Sequence, residues 1–185
     1  DQTVIEGLHQ KPRSQRKITL NQRPFQSKRC SSEEETRGLG TELAAFLEAG
    51  SVVSLNGPLG SGKTVFAGGI AFGLNIHEPL TSPSFTIISE YHGTLPLYHM
   101  DLYRISDEED LVSTGAEELI YGTGISIIEW GETLGAALPS HRIIVTISIE
   151  IDQTRLITIT FPENLVEENT QNLRSTANES CERKR

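Results

Sequence analysis

Val52-Val53-Ser54-Leu55-Asn56-Gly57-Pro58-Leu59-Gly60-Ser61-Gly62-Lys63-Thr64 decides the fold. An apolar run reads as a buried strand, a glycine-rich turn follows, and a helical pattern begins at about Gly62. Gly57 to Thr64 match G-x-x-x-x-G-K-[ST], the phosphate-binding P-loop. A triphosphate needs many donors close together, and side chains are too bulky to supply them all. Glycines let the backbone curl until successive N–H groups form an anion nest. The helix start adds its unpaired N–H groups and the positive end of its dipole. Lys63 then supplies a full charge to the β- and γ-phosphates, and the Thr64 hydroxyl is placed to ligate Mg²⁺. Gly57, Pro58, Leu59, Gly60, Ser61 and Gly62 complete the expected nucleotide cradle.

Upstream, Ser31-Ser32-Glu33-Glu34-Glu35 opens a helix. Ser32 and Glu35 have capping-box spacing, and acids in the first turn suit the dipole. Leu39, Leu43, Phe46 and Leu47 share a face, with Gly50 as the expected stop. Such a helix could serve packing alone, or bring Ser31 or Ser32 to the nucleotide. Residues 1–29 are polar and basic, with Lys11, Arg13, Arg16, Lys17, Arg23, Lys28 and Arg29. They read as a disordered extension in preference to an RNA-touching arm, because no aromatic residues interleave with the charges.

Downstream, Val65, Phe66, Ile70 and Leu74 continue the P-loop helix, and the proline- and hydroxyl-rich stretch 79–86 is a loop. Strands are expected at 87–91 and 95–101, a capped helical region from Ser106 towards Tyr121, and an apolar strand at 125–128 that delivers Glu129-Trp130. A short helix over 131–138 and a hairpin of 142–150 with 154–161, turning near Asp152, complete the domain. From Pro162 the chain is polar and reads as a frayed tail. The fold class that follows is α/β: a P-loop NTPase with a mainly parallel central sheet, flanking helices and added antiparallel edge strands. The domain runs over 30–161, with extensions 1–29 and 162–185.

Composition narrows the function. The 185-residue chain is 36% hydrophobic and carries a formal charge of −9, which disfavours broad binding to a nucleic-acid backbone. Cys30 and Cys181 lie near opposite ends, outside any metal-ligand spacing, and read as free thiols in a reducing compartment. No apolar run reaches membrane-spanning length and no signal-peptide core is present. The chain opens on Asp1, so residues upstream of it are expected.

A P-loop alone binds phosphate, whereas hydrolysis also needs a metal-associated acid and a group that orients water. Two acids end apolar strands: Asp101 and Glu129. Glu129 has the cleaner setting, since Ile125 to Ile128 would carry it to the sheet end that holds the P-loop. Either acid could instead be structural, as an exposed strand end or a cap for the following turn. Ser82-Pro83-Ser84 sits where a nucleotide switch places a hydroxyl-bearing loop, and equally where a plain ST-turn would serve. Arg155 on the last hairpin is a candidate for stacking on adenine.

Together, Gly57-Pro-Leu-Gly-Ser-Gly-Lys-Thr64, Thr81-Ser-Pro-Ser-Phe-Thr86, Tyr98-His-Met-Asp-Leu-Tyr-Arg104 and Ile127-Ile-Glu-Trp130 resemble, in order and spacing, the bacterial TsaE (YjeE) family. The likeness covers about residues 31–161 and neither end. It implies a small P-loop ATPase needed to form threonylcarbamoyladenosine in tRNAs that read ANN codons. Family members act with the TsaB–TsaD heterodimer, so tRNA would be met only through that complex, in the cytoplasm. By position the resemblance gives Lys63 to the phosphates, Thr64 and Glu129 to Mg²⁺, Asp101 to hydrolysis, Ser82 to the switch loop and Trp130 to the wall beside the site. The chain departs from the family at Pro58, usually Asp, at Ser84, usually Thr, and at Gly131, often Pro, where glycine is expected to loosen the segment. Three rival readings differ in what they need. A small-molecule kinase needs a cationic lid, but the segment after Arg104 runs acidic through Asp107 to Asp110. A GTPase needs N-K-x-D, and no Asn-Lys pair occurs. A non-catalytic nucleotide-dependent module would not need Asp101 and Glu129.

Overall fold

The computed structural model describes residues 18–19, 27–83, 85–162 and 166–167. Most of the expected N-terminal extension and polar tail, together with Ser84 and Cys181, lies outside those residues. Two short strands, β1 (Ile18–Thr19) and β9 (Val166–Glu167), pair in parallel as a separate two-stranded sheet.

The main sheet has seven strands: β2 (Ser27–Cys30), β3 (Val52–Asn56), β4 (Ile88–His92), β5 (Pro96–Asp101), β6 (Ile125–Glu129), β7 (Ile143–Ile149) and β8 (Arg155–Thr160). Their spatial order is β2-β8-β7-β3-β6-β5-β4. The central β7, β3, β6 and β5 run parallel, whereas β4, β8 and β2 are added antiparallel. The fold class is therefore as the sequence implies: α/β, parallel at the centre and antiparallel at both edges.

Burial on both faces explains the unbroken apolar runs. Val53, Leu55, Ile125, Ile127, Val145 and Ile147 pack with Leu39 and Leu43 of α1 (Glu33–Ala44) and with Phe66 and Ile70 of α2 (Lys63–Gly73). Val52, Met100 and Ile128 meet Leu111 of α3 (Glu108–Ser113) and Ala116 and Ile120 of α4 (Ala116–Ile120) on the other side. Helices α1 and α2 lie against each other at glycine contacts. A Cβ on Gly40 would come within 2.2 Å of the Phe66 carbonyl oxygen, and one on Gly69 within 2.0 Å of that of Arg37.

Local expectations shift in four places. β2 begins at Ser27, inside the segment read as disordered, because its backbone pairs with β8 from Ser27↔Thr158 to Cys30↔Arg155. Helix α1 ends at Ala44, not near Gly50. Phe46 and Leu47 follow as tight turns, and Gly50 (φ 84°) donates to the Gly124 carbonyl as the chain enters β3. The 106–121 region is two helices, broken where Gly115 takes φ 72°. The segment 131–138 forms two single 3₁₀ turns, Gly131–Thr133 and Gly135–Ala137. Among the described residues no helix is long and apolar enough to cross a membrane.

Candidate functional site

The carboxyl ends of the parallel strands converge on one cavity of about 630 Å³. Leu59, Gly60, Ser61, Gly62, Lys63 and Thr64 line it from the P-loop, with Ser82, Asp101, Glu129 and Trp130 from the neighbouring strand ends and loop. Ser31 and Arg155 also line it, brought from opposite parts of the sequence by the β2–β8 pairing. Gly57 and Pro58 are not among its lining residues, and their carbonyls hold Lys63. Ser32, offered by the sequence as an alternative to Ser31, lines it too, and sequence reasoning missed Glu33 and Thr36, which reach the same cavity from the start of α1.

The P-loop has the backbone its glycines imply. Gly57, Gly60 and Gly62 have φ of 144°, 76° and 104°, values that L side chains rarely adopt. At Gly57 space is also short, since a Cβ would come within 2.3 Å of the Ile147 carbonyl oxygen. Gly62 caps α2 with no side-chain hydrogen bond, leaving the helix start to the cavity. Ser61 lines the cavity, and its buried hydroxyl has no hydrogen-bond partner among the described residues. A phosphate oxygen would satisfy it.

Lys63 is 5% exposed. Its Nζ donates to the Gly57 carbonyl at 2.8 Å and the Pro58 carbonyl at 3.1 Å, and lies 3.9 Å from the centroid of the Trp130 ring. Burial pushes the Lys63 pKa below the usual lysine range, and Glu129, Glu132 and Asp101 oppose that by favouring the charged form. Trp130 occupies the left-handed region, φ 64°. Its N–H donates to the Leu55 carbonyl at the end of β3, and its ring meets Tyr103 edge-on at 5.2 Å.

The two acids share a register. Asp101 pairs with Glu129 across β5–β6, and Glu129 with Leu55 across β6–β3. The Thr64 hydroxyl donates to Glu129 Oε1 at 2.9 Å, joining the P-loop helix to the acid. His99 Nε2 is 2.9 Å from the same oxygen. Asp101 is engaged differently: Ser82 Oγ donates to Oδ2 at 3.2 Å and the Tyr103 N–H to Oδ1 at 3.0 Å. The Ser82 loop closes on Ile87, a β-branched residue at φ 68° whose carbonyl accepts the Asp101 N–H at 2.9 Å.

The donor set suits a hard cation. Magnesium takes few protein ligands and keeps waters and phosphate oxygens, so a hydroxyl and a carboxylate beside a phosphate nest fit it. Among the described residues no group of three or more His, Cys, Asp or Glu could hold a metal alone.

The capping box is realised with one change. Ser32 Oγ accepts from the Glu35 N–H, but the Glu35 carboxylate accepts from Ser31, not Ser32. Gly131 stands at a tightly packed point of the segment. It is buried, and a Cβ there would lie 2.8 Å from both Ser54 Oγ and Leu138 Cδ1.

Comparison with known proteins points to one family. The family described as threonylcarbamoyl adenosine biosynthesis protein TsaE matches residues 30–157. The tRNA threonylcarbamoyladenosine biosynthesis protein TsaE of Treponema pallidum (strain Nichols) is 46% identical over 133 residues, 71% of this chain and 98% of that protein. The protein of the same name from Bacillus subtilis (strain 168) is 44% identical over 141 residues, 75% of this chain and 87% of the relative. Among solved structures, the crystal structure of Bacillus subtilus YdiB matches with a TM-score of 0.65 at 35% identity, covering 84% of this chain and 95% of that one. Since the matched span contains the P-loop, both strand-end acids and the sheet that sets their register, the chain belongs to the TsaE family.

Proposed function

We propose that this chain binds ATP with Mg²⁺ and hydrolyses it in the formation of threonylcarbamoyladenosine in tRNAs that read ANN codons. In this reading it works with the TsaB–TsaD heterodimer, which holds the tRNA, and the cytoplasm is its place of action. The observation that carries the reading is the 2.9 Å hydrogen bond from Thr64 to Glu129, with Asp101 in register beside Glu129. A plain phosphate-binding turn needs neither acid.

Each residue has a derivable task. The P-loop N–H groups and the start of α2 bind the phosphates. Lys63 exchanges the Gly57 and Pro58 carbonyls for phosphate oxygens, remaining beside Trp130. Thr64 and Glu129 would hold the Mg²⁺, which when bound would supply positive charge to the phosphoryl oxygens. Asp101 is an acceptor for the attacking water, and Ser82, bonded to it, couples the 79–87 loop to that acid. Ser31 and Arg155, which line the same cavity, are the candidates for contact with the nucleoside, since a guanidinium can stack on a base.

ATP hydrolysis measured with Mg²⁺, for the chain alone and with TsaB–TsaD, tests the proposal. Slow turnover alone and strong stimulation by the pair is the expected result. Phosphate appearing on an added metabolite, without stimulation, would move the function to a kinase. Binding of ATP to the pair-bound chain without any turnover would leave a nucleotide-dependent module.

A further inference from the structure

His99 is fully buried on β5, the strand next to the β4 edge of the sheet. It sits on β5 opposite Ile127 of β6. Its Nε2 reaches Glu129 Oε1 at 2.9 Å, while Nδ1 is buried with no hydrogen-bond partner among the described residues. Glu129 Oε1 carries no proton when the carboxylate is ionised, so the short contact requires the proton on Nε2. The 2.9 Å contact is therefore Nε2–H donating to the carboxylate.

That bond fixes where Glu129 can point. Glutamate has three side-chain torsions, and a strand-end carboxylate held from one side alone could swing among rotamers. Here one oxygen is held from two directions, by Thr64 from the P-loop helix and by His99 from the adjacent strand.

We propose that His99 is a positioning residue. By donating Nε2–H to Glu129 Oε1 it locks the carboxylate in the orientation that serves Thr64 and the nucleotide-bound cation. The inference rests on the reading of Glu129 as the metal-side acid, and extends it to a group that touches neither nucleotide nor metal. Partners that orient metal-side ligands in this way commonly govern affinity for the ion.

Two amide variants isolate the donor. Glutamine places its amide nitrogen about where Nε2 stands, and asparagine about where Nδ1 stands, so both are polar but only His99→Gln can reach Oε1. The readout is the magnesium increment, the ratio of the ATP dissociation constant in EDTA to that in Mg²⁺, measured by calorimetry on the full chain. His99→Asn is expected to shrink this increment by about 10- to 100-fold with metal-free affinity nearly unchanged, and His99→Gln to restore most of it. Equal loss in both variants, or loss in neither, overturns the positioning role. Glu129→Gln separates the two levels. If that variant keeps the full increment, the metal-side reading of Glu129 fails. If it loses the increment while His99→Asn keeps it, only the role of His99 fails. Nitrogen-15 NMR of the wild-type imidazole gives a check that no folding defect can obscure: a proton on Nε2 is expected, and the Nδ1–H tautomer overturns the proposal.

Discussion

Replacing Lys63 with methionine should separate nucleotide affinity from stability. In the described state the ammonium is already satisfied, by the Gly57 and Pro58 carbonyls at 2.8 and 3.1 Å and the Trp130 ring at 3.9 Å. In the proposed function, nucleotide binding exchanges two neutral carbonyls for charged phosphate oxygens. If each exchange nets about 1.5 kcal/mol, the two together give about 3 kcal/mol, or about a 150-fold weaker ATP dissociation constant in Lys63→Met. Stability responds differently. The variant loses two charge-assisted bonds and a cation–π contact, but it also loses the desolvation cost that lowers the lysine pKa. These effects oppose one another, and methionine keeps most of the aliphatic stem. The net change should stay within about 1 kcal/mol, a melting shift of about 4 °C or less. Calorimetry with ATP and a thermal melt of the same preparation read both quantities. A loss of affinity under about tenfold would refute the exchange argument, because the ammonium would then gain nothing by leaving its carbonyls. Intact affinity with a collapsed melting temperature would make Lys63 a structural residue.

The same pair of proteins carries a pH prediction. Folded Lys63 has a lowered pKa, so between its folded and unfolded values the unfolded chain holds more protons, and wild-type stability rises with pH relative to Lys63→Met. Denaturant midpoints that run parallel for the two proteins across the alkaline range would contradict it. Gly57→Ala should destabilise by about 2–4 kcal/mol, combining a φ of 144° with a Cβ 2.3 Å from the Ile147 carbonyl oxygen, as read from urea unfolding. A midpoint within error of wild type would show that the backbone there yields. Asp101→Asn should keep ATP affinity within about threefold and lower turnover with TsaB–TsaD by about 10²-fold, as for loss of a positioned acid–base group. Full turnover would remove Asp101 from the chemistry.

Legibility followed locality. The P-loop, its helix and the two strand-end acids sit in short apolar or glycine-rich stretches whose periodicity names them, and the structure brings them to one cavity. β2 was not legible because Ser27-Lys28-Arg29-Cys30 has no strand-like alternation. It is held by backbone pairing to β8, almost a whole domain away in sequence. The same pairing brings Ser31 and Arg155 to the cavity, so the residues could be nominated singly but not seen as neighbours. His99 was illegible for another reason. A histidine between Tyr98 and Met100 reads as a filled strand position, and only the β5–β6 register puts its ring against Glu129. The left-handed backbones at Ile87 and Trp130 run against residue preference, so composition could not announce them.

Strand order gives a physical reason for separating the two acids. The P-loop leaves β3, β6 is its direct neighbour, and β5 lies beyond β6. Adjacent strands are about 4.8 Å apart, so in equal register the backbone at Asp101 stands about 10 Å from the P-loop strand and that at Glu129 about half as far. Glu129 is thus the acid that a hydroxyl at the start of α2 can reach, and Thr64 does reach it. Asp101 is left to face the Ser82 loop, which folds back over the outer edge of the parallel strands and meets it through Ser82 Oγ. The division follows from topology: the inner acid is tied to the nucleotide cradle, and the outer acid to the loop. Exchanging their identities would not exchange their roles. Because the roles are positional, Glu129→Asp would keep the charge yet withdraw it by one methylene from both Thr64 and His99. It should therefore cost more in magnesium-dependent affinity than Asp101→Glu costs, and the reverse ranking would show that strand order does not assign them.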